Sequence, residues 1–303
     1  MVFNFPCLGF LILCTALITT NCVLGFSSKG LPISSFNESF FRLYGNNRVI
    51  FLDNEGKSVQ ISLDKSSGSG FLSQDMYLHS YFSASIKLPG NYTAGVVVTF
   101  YTSNGDEYKT NHDEIDFEFL GHVRGKPWLV QTNIYGNGST NRGREERYNL
   151  WFDPTQDFHT YSILWTSKWI VFYVDEVPIR VVQKVDAMGG DFPSKAMTLF
   201  ATIWDGSAWA TSGGKHKVNY KYAPFLAKYS NFVLYGCSLD PIQKELAAEK
   251  CGSATDLSTF NGLTTEEKSK MMKFRMKNLI YSYCNDRSRY PIPLPECIVK
   301  RKL

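Results

Sequence analysis

The sequence has little that would mark a nucleic-acid-binding, membrane-spanning or zinc-binding protein. Its formal net charge over 303 residues is only +4. Lys and Arg are scattered, apart from the run Lys300-Arg301-Lys302, so no basic nucleic-acid footprint is present. That terminal run reads as a solvated end, or at most as an attraction for acidic polysaccharide. No Cys-x-x-Cys pair occurs, which argues against a zinc knuckle. Internal repeats, low-complexity segments and coiled-coil heptads are also missing, so the sequence gives no oligomeric state, and nothing in it calls for a cofactor or metal. Long apolar runs are missing as well, and the best candidate, around Phe10 to Ile18, is too short and interrupted to span a bilayer.

That run lies within residues 1–25, which contain no Asp, Glu, Lys or Arg and end in Val23-Leu24-Gly25. We read this as a secretory signal peptide cleaved near Gly25, although the usual basic residue at its start is absent. Cleavage would remove Cys7, Cys14 and Cys22 and leave four cysteines, Cys237, Cys251, Cys284 and Cys297. An even remainder suits an oxidising compartment. Four cysteines allow three pairings and the sequence does not choose among them; nearest-neighbour pairing is our expectation. Sequons at Asn37, Asn91 and Asn137 fit a secreted glycoprotein, and Asn137 has the most loop-like surroundings.

A hydrophobic content of 44% suffices for a sizeable core. From about Ser27 to Tyr235 the pattern is almost wholly strands, including Tyr81–Leu88, Gly95–Tyr101, Tyr161–Trp165, Trp169–Val174, Met197–Trp204 and Asn231–Tyr235. The segments 165–169 and 174–177 read as hairpin connections. An all-β, antiparallel two-sheet sandwich or jelly roll follows, occupying residues 26–235. Residues 236–303 change character and hold all four remaining cysteines, so they read as a small disulfide-stapled extension. Within it Thr264-Thr265-Glu266-Glu267 has capping-box spacing ahead of one helix over Lys268–Asn278, with Met271, Met272, Phe274 and Met276 available to dock. Leu279–Tyr283 then turns strand-like, and Pro291, Pro293 and Pro295 forbid a regular central strand beyond it.

The chemistry is concentrated at residues 112–120, His-Asp-Glu-Ile-Asp-Phe-Glu-Phe-Leu. On a strand, alternation puts Glu114, Asp116 and Glu118 on one face and Ile115, Phe117 and Phe119 on the other. Three neighbouring carboxylates repel one another and raise at least one pKa, an arrangement suited to glycoside hydrolysis by a nucleophile and an acid/base. Retention of configuration needs those two groups about 5–5.5 Å apart. On a flat strand the α-carbons of Glu114 and Glu118 are about 13 Å apart, so a curved sheet must bring the side chains together. Asp116 between them should keep Glu118 protonated and orient Glu114. The alternative is an acidic solvated face or a calcium site.

The stretch His112 to Gly121 resembles the signature of the xyloglucan endotransglucosylase/hydrolase family of plants, retaining glycoside hydrolases with a concanavalin-like jelly roll. The resemblance runs from about Phe36 to Cys297 and includes Leu150-Trp151-Phe152-Asp153-Pro154, Trp209-Ala210-Thr211-Ser212-Gly213-Gly214, Arg289-Tyr290-Pro291 and Pro295-Glu296-Cys297. It implies Glu114 as nucleophile, Asp116 as assisting carboxylate and Glu118 as general acid/base. It also implies nearest-in-sequence disulfides and a secreted enzyme of the cell wall or apoplast. As sugar contacts it implies Gln131, Asn133, Arg144, Glu145, Trp209, Ala210, Gly214 and Arg289, beside Glu118. Amides and charged groups suit hydroxyls, and indoles such as Trp204 and Trp209 suit the apolar faces of pyranose rings. Trp204 could equally be core, and Arg289 could equally be an ion-pair partner holding the extension onto the sandwich.

Two features depart from the common family pattern. Gly121-His122-Val123-Arg124 carries no sequon, which leaves Asn137 as the nearest glycan site. The segments 103–111 and 135–143 are longer than in many relatives, and Gly143 stands where Asn usually precedes Arg-Glu. Transfer and hydrolysis would share one glycosyl-enzyme ester on Glu114 and differ in the attacking hydroxyl. The stretch Val181–Asp191, with Met188-Gly189-Gly190, resembles the transferring kind. The expected partners are therefore a xyloglucan donor and a xyloglucan chain or oligosaccharide acceptor. The other readings are a predominant hydrolase and a noncatalytic sugar-binding module.

Overall fold

A computed structural model describes residues 26–242, 251 and 256–299. The expected leader at 1–25 and the basic run Lys300–Lys302 lie outside the described residues. The strands are β1 (Phe40–Tyr44), β2 (Val49–Phe51), β3 (Ser58–Leu63), β4 (Ser69–Lys87), β5 (Val96–Ser103), β6 (Glu114–Leu120) and β7 (Leu129–Tyr135). They continue as β8 (Glu146–Asn149), β9 (His159–Trp165), β10 (Trp169–Val174), β11 (Val177–Gln183), β12 (Met197–Asp205), β13 (Phe225–Leu239) and β14 (Leu279–Ser282). Each pairing between them is antiparallel.

Two layers arise because β4, at 19 residues, belongs to both. Its first half pairs with β1 and β12. Its second half, from Ser80, pairs with β9. His79 between them has a φ of 59°, which turns the strand out of the first layer into the second. The first layer runs β4-β12-β5-β6-β7-β8-β14 and the second carries β11-β10-β9-β4-β13-β3-β2.

The core lies between the layers. Ile115, Phe117 and Phe119 of β6 are fully buried. Phe117 meets Phe172 edge-on at 5.2 Å and Phe119 meets Tyr161 at 4.6 Å, so the apolar face of β6 packs onto β9 and β10. The opposite face of β6 is thereby left open.

The expected hairpins at 165–169 and 174–177 join β9 to β10 and β10 to β11. Only the end of β4, from Tyr81, is legible in the sequence, because Gln74, Asp75 and His79 interrupt the apolar pattern before it. The boundary expected after Tyr235 falls inside β13, whose last residues still pair with β4.

The extension packs against both layers: β14 pairs with β8 of the first, while Leu257, Phe260, Leu263 and Met271 pack on Leu164, Val171 and Tyr173 of the second. Its helix, Thr265–Asn278, has the full capping box, with Thr264 Oγ1 accepting from Glu267 N at 3.2 Å and Glu267 Oε2 accepting from Thr264 N at 2.8 Å. Phe274 is buried and Met271 packs inward, but Met272 and Met276 point into solvent, since one face of a helix cannot dock all four. A second short helix, Pro295–Val299, was not expected; Pro295 occupies its first position, where a missing N–H costs nothing. The disulfides are Cys237–Cys251 and Cys284–Cys297, the nearest-neighbour pairing.

Buried charge clasps the extension down. Arg275 of the helix grips Glu146 of β8 through Nη1–Oε2 at 2.6 Å and Nη2–Oε1 at 2.9 Å, and Ser282 Oγ donates to the same carboxylate at 2.8 Å. Glu146 is fully buried and also faces the buried Arg180 Nε at 3.6 Å, so one carboxylate balances two cations and its removal would leave both without it. Among the described residues no helix is long and apolar enough to cross a membrane.

Candidate active site

Antiparallel register sets the open face of the first layer in rows. Thr198, Ser103, Glu114 and Tyr135 form one row on β12, β5, β6 and β7. Phe200, Tyr101, Asp116 and Asn133 form the next. Thr202, Thr99, Glu118 and Gln131 follow, and Trp204, Val97, Leu120 and Leu129 complete the set. Alternation within strands and register between them therefore gather side chains far apart in sequence.

All three carboxylates line one cavity of about 470 Å³. Gln131, Asn133, Glu145, Trp204 and Trp209, all named above as candidate sugar contacts, line it too. The two indoles lie 6.2 Å apart at 44°, half-buried on an apolar patch with Ala210 behind them. Among the described residues no cluster of three or more His, Cys, Asp or Glu is placed to hold a metal ion.

The carboxylates differ in their surroundings. Burial raises the pKa of Glu114, while a hydrogen bond from Ser103, the nearby His112 and a hydrogen bond from Asp116 oppose the rise. Asp116 is pushed well above the carboxylate range by burial first, then by the charges of Glu114 and Glu118. It therefore keeps its proton and donates it in a hydrogen bond toward Glu114. Glu118 is raised to about 7, mainly by burial; Gln131 opposes this, Glu114 and Glu145 add to it, and Arg147 opposes it. Gln131 Nε2 donates to Glu118 Oε2 at 2.5 Å, and Gln131 Oε1 accepts from Arg147 Nε at 2.6 Å. Asn133 is held by its own Oδ1, which accepts Arg144 N at 2.8 Å.

Four of the expected sugar contacts are not in the cavity wall. Arg144 is fully buried and pairs with Glu296 Oε1 at 2.6 Å and with Asp191 Oδ2 at 3.0 Å, so it cannot reach a sugar. Its neighbour Glu145 can, because adjacent residues of extended chain face opposite ways. Ala210 is buried behind the indoles, where it can only support them. Gly214 turns the chain at a φ of 83°, and a β-carbon there would lie 2.4 Å from Ala208 O. Arg289 binds Glu145 Oε2 at 2.6 Å and thus bridges the extension to the cavity wall.

Thr99, Tyr101, Tyr135, Arg147 and Thr202 also line the cavity and were missed. Period two carried the signal, since Tyr135 follows Asn133 by two residues and Arg147 follows Glu145 by two. The three sequon residues Asn37, Asn91 and Asn137 are exposed.

Residues 36–222 match the family described as glycosyl hydrolases family 16, and residues 252–297 match the xyloglucan endo-transglycosylase C-terminus. The probable xyloglucan endotransglucosylase/hydrolase protein 27 of Arabidopsis thaliana is 59% identical over 277 residues, 91% of this chain and 83% of that protein. Protein 28 of the same series and organism is 55% identical over 280 residues, 92% of this chain and 84% of its own length. Among solved structures, the Bacillus licheniformis β-glucanase superposes with a TM-score of 0.54 at 25% identity, covering 69% of this chain and 99% of that one.

Proposed function

The chain belongs to the xyloglucan endotransglucosylase/hydrolase family of retaining glycosidases and transglycosylases, and from that premise we propose that it cuts the β-1,4-glucan backbone of xyloglucan and rejoins the cut end to another xyloglucan chain. The observation that carries the reading is the division of labour among three carboxylates in one cavity. Glu114 is the nucleophile. Its charge is favoured by the hydrogen bonds from Asp116 and Ser103, and it attacks the anomeric carbon as the glycosidic bond breaks. Glu118, holding a proton up to about pH 7, gives that proton to the departing glucan oxygen. The product is a glycosyl ester on Glu114 and a free chain end.

In the second half the acceptor hydroxyl loses its proton to Glu118, its oxygen attacks the anomeric carbon, and the Glu114 carboxylate leaves. Water can take the place of the sugar hydroxyl, so transfer depends on holding an acceptor chain against the ester. Trp204 and Trp209 are the stacking platforms, and Gln131, Asn133 and Glu145 are the hydrogen-bonding contacts. We place the enzyme outside the cell, in the wall where its polymer lies, which fits two disulfides and three exposed sequons.

Size-exclusion analysis of xyloglucan incubated with and without labelled acceptor oligosaccharide tests this reading. Label entering the polymer fraction in step with chain shortening supports transfer. Shortening without label incorporation would make the protein a hydrolase on the same site, and no reaction of either kind would remove the enzymatic reading.

A further inference from the structure

Arg147 is a cavity residue to which the proposed chemistry gives no task, yet it lies on a row that crosses six strands. Thr202, Thr99, Glu118, Gln131, Arg147 and Tyr281 stand side by side on β12, β5, β6, β7, β8 and β14. From Glu118 outward the row is a chain of contacts. Gln131 bonds Glu118 at 2.5 Å and Arg147 bonds Gln131 at 2.6 Å. The guanidinium carbon of Arg147 lies 5.5 Å from the centre of the Tyr281 ring, a cation–π contact. Tyr281 is anchored in turn through its hydroxyl, which donates to Asp286 Oδ2 at 2.9 Å.

The two ends of an amide are nearly equal in size, so its direction is set by what they meet. A guanidinium can only donate, which forces the Gln131 oxygen toward Arg147 and its NH₂ toward Glu118. That NH₂ in turn needs an acceptor, so Glu118 Oε2 stays unprotonated whichever charge the carboxyl carries. A proton on Glu118 must ride on Oε1. Without Arg147 the amide can turn over and accept a proton held on Oε2, where it serves no sugar.

We propose that the C-terminal extension positions the acid/base of the catalytic domain through this row: Tyr281 holds Arg147, Arg147 fixes the Gln131 amide, and the amide directs the proton of Glu118 to Oε1. This rests on Glu118 being the acid/base. Tyr281 and Arg147 are positioning residues, acting through Gln131. The other charged or titratable groups around Glu118 are Glu114 and Asp116 on its own strand, Tyr101 on β5, Tyr135 on β7, and Glu145 ahead of β8. Of all these Arg147 alone is cationic.

The test compares Tyr281→Leu and Tyr281→Phe in the full chain, measuring kcat/KM for transfer against pH together with thermal stability. Tyr281→Leu should lower kcat about tenfold, a fraction of what a general acid contributes. It should also move the basic limb of the profile to higher pH, because a loosened cation and a turned amide both favour the protonated carboxyl. Tyr281→Phe keeps the ring but loses the hydroxyl anchor, and should fall between the parent and the Leu variant. An unmoved limb in Tyr281→Leu, with the loss confined to KM, would overturn the proposal, as would a Phe variant that behaves like Leu. Glu118→Gln separates the two levels of inference. Undiminished turnover there defeats the acid/base reading itself, whereas an inactive Glu118→Gln beside an unmoved Tyr281→Leu limb defeats only the row.

Discussion

The two faces of β6 are built from alternate residues of one seven-residue strand, and they do opposite things to the protein. Ile115, Phe117 and Phe119 are fully buried against the second layer and stabilise the fold by removing apolar surface from water. Glu114, Asp116 and Glu118 set three carboxyl groups in one cavity, where burial above all raises the pKa of each, and so cost stability. A strand can carry such a burden only if its other face offsets it. Fully buried side chains therefore lie directly behind the groups least favourable to folding.

Substitutions on the two faces should therefore have opposite effects on turnover and stability. Glu114→Ala should abolish chain transfer by about 10⁴-fold or more while leaving oligosaccharide binding measurable and the melting temperature no lower. Retained turnover in the label-incorporation assay would contradict the nucleophile assignment. Phe117→Ala should do the reverse, costing about 3–5 kcal/mol in denaturant unfolding while the molecules that remain folded keep their turnover.

The third substitution reads the cost of the acidic face directly. Glu118 keeps its proton to about pH 7 in the folded chain, against an ordinary value of 4.5. Between those values the folded state binds more protons than the unfolded state, so this group's contribution to stability falls as pH rises and is fully unfavourable above about 7. Glu118→Gln should therefore stabilise the protein at pH 8 by on the order of 1 kcal/mol, and by nothing measurable at pH 4. Equal melting shifts at both pH values would show that the face carries no such burden. The smallest effect belongs to the cavity wall, where Trp209→Ala should raise KM about fivefold with little change in kcat, since stacking is worth about 1 kcal/mol. A collapse in kcat instead would place that indole in the chemistry rather than the wall.

The legible part of the molecule follows from local rules. Alternation alone separated the two faces of β6, capping spacing found the helix at Thr265–Asn278, and turn residues located both hairpins. The illegible part depends on partners distant in sequence. The family resemblance implies Arg144 as a cleft residue, and the residue that buries it, Glu296, is 152 positions away, beyond local reading. Parity argued against it even so, because Arg144 and Glu145 cannot face the same way. Arg147 carried a readable signal two residues after Glu145, but its importance needs the register with Gln131 and Tyr281, which no single strand contains. The turn within β4 rests on one backbone torsion at His79.

The position of β14 has a consequence for synthesis. β8 ends at Asn149 and its outer neighbour begins only at Leu279. At about 5–20 residues per second, the ribosome leaves the outer backbone of β8 without its ladder partner for on the order of ten seconds. Unpaired N–H and C=O groups in such a row are a template for another chain. A nascent chain stalled before Leu279 would thus be most exposed to pairing with its neighbours beside the carboxylates it needs. The strand that closes this window belongs to the C-terminal extension and is made long after β8.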